Sequence, residues 1–438
     1  MLSTESFLEK AEETVETFQS VRVFGKVTKA VGLVVEGAGI RASIGDICEI
    51  ITEENTIEAE VVGFKDGAVL LSPLGEIYGI NQGAKIFLKG RQSYVEISEN
   101  ILGRVIDGLG NPIDEGPPLN GRPYPIYREA INPMEREIIK DPLDLGIRAI
   151  NALITCGKGQ KIGIMAGSGV GKSVLLGMIA RYTSADVNVI ALIGERGREV
   201  REFIENDLAE GLKKSVVVVS TSDTPALSRI RGAFVATAIA EYFREQGKDV
   251  LLLMDSLTRF AMAQREIGLA AGEPPTMKGY PPSVFKLMPK LLERVGVTKS
   301  GGSITGIYTV LVEGDDLTDP VADSARSILD GHIVLSRELA NRNHYPAIDP
   351  LKSVSRLMKD IVEPEHLKYA GRLLDILAVY SKYEDIINIG AYKEGTNRQV
   401  DFAIKMMDRI NSFLRQSIGE KSTFQESIKA LYELFGEK

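Results

Sequence analysis

Hydrophobic and polar positions change rhythm several times along the chain, and each rhythm predicts a different element. Over residues 3 to 19, Phe7, Ala11, Val15 and Phe18 recur at three- and four-residue spacing between acidic residues, the pattern of one amphipathic helix. A helix this short is marginal alone and gains its stability by docking its apolar stripe, on its own protein or on a partner. From Val21 to about Lys89 the texture becomes short apolar runs broken by glycine: VFGKV, VGLVV, GDICEI, EAEVVGF, GAVLLS and AKIFL. Runs at that spacing predict a small closed β-structure of about six strands, and closure leaves no edge to pair with another chain.

The stretch from Ser98 to Arg128 is rich in glycine and proline, which favours turns and extended chain, and reads as a connector. Beyond it, apolar strands (KIGIMA, VNVIALIG, SVVVVS, VLLLMDS, SITGIYTVLV, HIVLS) alternate with amphipathic helices. That alternation predicts an α/β fold with a mainly parallel sheet covered on both faces. From about Glu365 the pattern is helical to the end. The expected organisation is therefore an N-terminal amphipathic helix (1–20), a β-barrel (21–90), an α/β domain (91–364) and a C-terminal helical domain (365–438).

Chemistry concentrates where strands stop. Ala166-Gly167-Ser168-Gly169-Val170-Gly171-Lys172-Ser173 fits a phosphate loop with alanine in the first position. It follows the strand KIGIM and opens the helix SVLLGMIARY, so backbone N–H groups and the helix dipole converge on an anion. The glycines let the backbone approach, Lys172 is placed for the β and γ phosphates, and the Ser173 hydroxyl for Mg²⁺. A glycine-rich turn with a chance Gly-Lys-Ser is the bland alternative, and the flanking strand and helix disfavour it. Asp255 ends the buried strand VLLLMDS, where a carboxylate holds Mg²⁺ directly or through water; capping the following SLTRF helix is its alternative role. Glu195 follows the strand VNVIALIG and is placed to polarise an attacking water, whereas Arg198, Glu199, Arg201 and Glu202 read as the solvated face of the next helix.

Composition narrows the classes. The 438 residues carry 44% hydrophobic and 26% charged side chains and no apolar run near the roughly 20 residues that cross a bilayer. The acidic start lacks a secretory pattern, so a cytoplasmic protein is expected. Cys48 and Cys156, far apart and outside any CxxC pattern, read as core hydrophobes, and three scattered histidines make no metal cluster. A net charge of −8 argues against a nucleic-acid binder.

The set AGSGVGKS, GERGREV, LLLMDSLTRFA, GEPPTMKGYPPSVF, DDLTDP and YPAIDPLKSVSRLM resembles the flagellar protein-export (type III secretion) ATPases, relatives of the rotary ATP synthase β subunit and of injectisome ATPases. The segment INIGAYKEGTNRQVDFAI looks closer to the flagellar members. The resemblance spans nearly the whole chain and implies a RecA-like P-loop ATPase core between a β-barrel and a helical domain, assembled as a homohexamer with ATP between subunits. It implies Glu195 as catalytic glutamate, Arg356 as an arginine finger given to the neighbour, and Arg196 and Arg259 near the γ phosphate. Tyr345 would pack on adenine, with Phe424 near a second adenine-pocket position. Implied partners are a stator-like regulatory export protein through the N-terminal helix, the export gate, chaperones and export substrates, some of them at the inner face of the cytoplasmic membrane. A rotary catalytic subunit, an RNA-translocating ring and a non-hydrolysing structural subunit are the rivals; the motifs, the acidic composition and the presence of Glu195 respectively weigh against them.

Overall fold

A computed structural model describes residues 23–90, 94–299, 301–312 and 318–436; the expected helix over 3–19 lies outside them. Two compact units divide the chain near residue 92.

The first unit is the expected barrel. Its strands β1 (Phe24–Val31), β2 (Val34–Ala38), β3 (Ile47–Ile51), β4 (Thr56–Lys65), β5 (Ala68–Pro73) and β6 (Lys85–Gly90) close in the order β1-β2-β5-β4-β3-β6. Alternating side chains enter the barrel, so Val27, Val35, Cys48, Ile50, Val61, Leu71 and Ile86 form one core. The β4–β5 hairpin turns on Asp66-Gly67, both at positive φ (48° and 80°), the backbone that an Asp-Gly two-residue turn supplies.

The second unit is built on one large sheet. Its strands are β7 (Tyr94–Ile97), β8 (Val105–Asp107), β9 (Arg122–Pro125), β10 (Lys161–Ala166), β11 (Val187–Ile193), β12 (Ser215–Ser220), β13 (Asp249–Asp255), β14 (Gly296–Val297), β15 (Ser303–Leu311), β16 (Gly331–Leu335) and β17 (Ile348–Ser355). The main sheet runs β17-β16-β10-β15-β13-β11-β12-β8, with β14 beside β15. It is parallel throughout except for β14 and β17. Strands β10, β11 and β12 are buried at every residue, as a sheet covered on both faces requires. The connector expected from Ser98 to Arg128 is more structured than its glycines and prolines suggest. Within it, β8 joins the sheet edge beside β12 with Ile106 fully buried, while β9 pairs with β7, which just precedes the connector, as a separate ribbon.

Three long helices follow, Pro364–Asn388, Arg398–Leu414 and Phe424–Glu433. Their starts are set locally: proline in the first turn of one, the Asn397 side chain on two N–H groups, and a Thr423–Glu426 capping box. Leu373, Ile376, Ile410, Phe413 and Leu431 then pack into the same core as the sheet. Among the described residues no helix is long and apolar enough to cross a membrane.

Candidate functional site

Three parallel strands end at one place. Loop 167–171 leaves β10 and enters the helix Lys172–Tyr182 with Gly169 at φ 75° and Gly171 at φ 87°. That left-handed backbone favours glycine, and it turns the first N–H groups of the helix, which have no intrahelical acceptor, toward the loop. Ser168 and Ser173 are exposed and Val170 is buried beneath them, so the loop is anchored from below and polar above.

Lys172 is held between two carboxylates. Its Nζ lies 2.5 Å from Asp255 Oδ1 at the end of β13 and 3.2 Å from Glu195 Oε1 just past β11. Thr309 of β15 donates a third bond to Asp255 Oδ1 at 2.7 Å. Asp255 is buried, and desolvation, with Glu195 adding to it, pushes its carboxyl above the usual range although Lys172 and Thr309 pull it back. Burial alone would lower Lys172, but the two carboxylates outweigh it and keep the ammonium charged. The capping alternative for Asp255 falls to Ser256, whose hydroxyl accepts from Arg259 N at 3.2 Å. Asp255 is therefore free for the charged cluster.

Beside the loop a cavity of about 850 Å³ is lined by Gly169, Gly171, Met178, Tyr345, Gln416 and Ile418, among others. A Cβ at Gly171 would stand 3.3 Å from the Tyr345 ring, so the aromatic lies directly against the loop. Phe424 takes another position, edge-on to His366 with ring centres 6.0 Å apart, and does not line this cavity. The far wall comes from the segment 415–420.

The arginines separate. Arg259 packs against Gly194, next to Glu195, with its Nε buried and without a hydrogen-bond partner. Arg196 points outward and pairs with Glu199 at 2.5 Å, and Arg198–Glu202 and Arg201–Glu205 are exposed helical pairs as expected. Arg356 is exposed just beyond β17. β17 runs antiparallel to β16, so Ser355 pairs with Gly331 at the start of β16, level with the start of β10. The length of β10, roughly 17 Å at about 3.3 Å per residue, separates Arg356 from its own phosphate loop.

Thr309 and Gln416 are contacts that the motifs did not single out. Thr309 is a polar residue inside the apolar strand SITGIYTVL, which was its available signal. Cys48 and Cys156 are buried, their thiols pushed up to about 11 and about 12 mainly by desolvation.

Three family models match the chain: the ATP synthase alpha/beta family nucleotide-binding domain over residues 146–355, that family's beta-barrel domain over 27–87, and the T3SS EscN ATPase C-terminal domain over 362–433. The flagellum-specific ATP synthase of Bacillus subtilis is 51% identical, across 97% of this chain and 98% of that protein. The type 3 secretion system ATPase of Xanthomonas euvesicatoria is 49% identical, across 98% of each. The assembled ATPase EscN of the enteropathogenic E. coli type III secretion system superposes with a TM-score of 0.89 at 47% identity, over 94% of this chain and 99% of that one. EscN in complex with its central stalk EscO gives 0.85. With barrel, sheet, loop and helical region all matched, the chain belongs to the flagellar and type III secretion ATPases of the ATP synthase α/β family, which hydrolyse ATP for type III export.

Proposed function

We propose that this chain hydrolyses Mg²⁺–ATP at the interfaces of a homohexameric ring and that hydrolysis serves flagellar protein export, releasing and unfolding export substrates. The convergence of Lys172, Glu195 and Asp255 beside the glycine loop carries the reading. The donor set suits a magnesium ion, since Ser173 offers an exposed hydroxyl at the helix start and Asp255 a carboxylate already committed to a cation. Those two residues would hold it, and when bound it neutralises phosphate charge.

The chain's own groups divide the work. Lys172 leaves its carboxylates for the β and γ phosphates. Glu195, released from Lys172, orients the attacking water and takes its proton. Tyr345 stacks on the adenine in the cavity. Arg259 faces the γ phosphate from beside Gly194, and Arg196 turns from Glu199 toward it as the site fills. Arg356 serves the neighbouring copy, a reading supported by its distance along β10 from its own loop. A guanidinium meeting γ-phosphate charge in this way contributes about 10³ to 10⁵ in rate.

EscN is solved as an assembly and with a central stalk protein. By that likeness we read a ring with a central stalk-like partner; we further propose a stator-like regulatory export protein reached through the N-terminal segment, and the export gate, chaperones and export substrates at the membrane face of a cytoplasmic export apparatus. Identities of 51% and 49% to flagellar and injectisome relatives do not separate the two systems. The segment INIGAYKEGTNRQVDFAI favours the flagellar one, and restored swimming in a strain lacking its own flagellar ATPase would check it. For the ring, Arg356→Ala and Lys172→Ala chains, each inactive alone, should regain activity when mixed, because an intact loop then faces an intact finger. Confirmed subunit exchange without recovery would sink the interface assignment.

A further inference from the structure

The parallel sheet has two ends, and the phosphate loop occupies one. At the other, Asp330 N donates to Lys161 O at 2.7 Å at the start of β10, and Arg356 N donates to Asp330 O at 3.0 Å. The Arg356 side chain reaches sideways, its Nη2 donating to the main-chain carbonyl of Arg326 at 3.1 Å, in the last turn of the helix Pro320–Ile328. Arg326 keeps its own Nε buried without a hydrogen-bond partner. His332 lies between them in charge terms: burial first, then Arg326 and Arg356, hold its imidazole below the usual range, with a main-chain bond to Lys352 pulling the other way.

Neither guanidinium pairs with a carboxylate among the described residues. Asp330, four residues beyond Arg326, accepts from the Lys161 N–H at 3.0 Å instead. Two like charges gathered beside a neutral imidazole repel one another, and a buried N–H without an acceptor costs free energy. Guanidinium is the side chain whose planar fork suits phosphate oxygens. A structural account covers only half of this: a cation suits a helix C-terminus, and Arg356 satisfies one of its last carbonyls. It leaves the buried Arg326 Nε without a role.

We propose that Arg326 is a second arginine of the interfacial site, supplying its guanidinium to a phosphate oxygen of the ATP held by the neighbouring copy while its carbonyl aims Arg356. The proposal rests on the ring reading above. It assigns to the pair one preformed phosphate cradle built from a helix end and an edge strand.

The test uses full-length chains and ATP. Arg326→Ala should lower kcat by about 10- to 100-fold, the range of one charge-assisted hydrogen bond, with smaller change in KM and with ring assembly and melting temperature retained. Arg326→Lys, which keeps the charge and loses the fork, should fall between, and it stands in if the alanine variant folds poorly. Mixing Arg326→Ala with Lys172→Ala should restore activity, because each supplies what the other lacks across an interface. The Arg356→Ala plus Lys172→Ala mixture runs alongside. If that control recovers and the Arg326→Ala mixture does not, Arg326 acts within its own subunit and the proposal fails while the ring reading stands. If the control fails despite subunit exchange, both fall. Wild-type kcat in both Arg326 variants would also overturn it.

Discussion

Lys172 touches two carboxylates at once, and this contact makes the site's chemistry testable one atom at a time. Replacing Glu195 by glutamine preserves shape but removes the carboxylate proposed to take a proton. ATP should bind as before while hydrolysis falls by about 10²-fold or more; near-normal turnover in a single-turnover assay would remove Glu195 from that role. A second buried pair is structural. Arg294 and Glu241 meet at 2.6 Å with side chains 0% and 3% exposed, and Arg294 also donates to Ile126 O at 2.5 Å. Glu241→Gln leaves a buried guanidinium without its counter-charge, so stability should drop by about 3 to 5 kcal/mol, read from the urea midpoint. Adding Arg294→Met should restore part of the loss. An unshifted midpoint in the single variant would mean that the remaining Ile126 carbonyl suffices.

Among the secondary elements, the helix Pro364–Asn388 carries a pH signature. His366 in its first turn is 2.7 Å from Ala152 O, and burial, only partly offset by that bond, depresses its basicity. The unfolded chain takes up this proton near about pH 6.5, the folded chain at lower pH. The neutral histidine therefore stabilises fully above about 6.5, and the contribution fades as pH falls below it. His344, also buried, and depressed by desolvation and then Arg415, acts in the same direction. Urea midpoints of the wild type should decline from pH 7.5 to 5.5, and His366→Gln should decline less. Parallel declines would assign the slope to other groups. The elements also explain where pattern reading stopped short. β8 hides in a glycine- and proline-rich stretch because a three-residue edge strand needs little apolar sequence of its own; its neighbour β12 supplies the hydrogen-bonding edge. β17 begins buried and turns exposed, so no strict alternation marks it as a strand.

For the whole molecule, the barrel and the sheet unit have separate cores, and the phosphate loop belongs to the second. Ligand that binds only the folded site stabilises by RT ln(1 + [L]/Kd), about 2.7 kcal/mol at a hundredfold excess over Kd. Mg²⁺ with a non-hydrolysable ATP analogue should raise the melting transition of the sheet unit, and Lys172→Ala should lose most of that rise at equal nucleotide. An equal rise in both chains would place the nucleotide elsewhere.

The order of barrel, α/β core and helices was legible in the sequence because periodicity and turn residues are local properties of the chain. The phosphate loop was legible for the same reason, since Gly167 to Ser173 are contiguous and their backbone geometry is written in glycines. Glu195 and Asp255 could be proposed from their positions at strand ends. That they meet on one lysine depended on strand order, because β10, β15, β13 and β11 lie side by side though far apart in sequence. Thr309 reaches Asp255 because β15 lies beside β13, whereas the wall at 415–420 and the placement of Phe424 away from the cavity were tertiary outcomes of how the last helices dock. The pairing of Arg326 with Arg356 came likewise from the antiparallel return of β17, which no local pattern encodes, because register across a sheet is set by the summed packing of both faces.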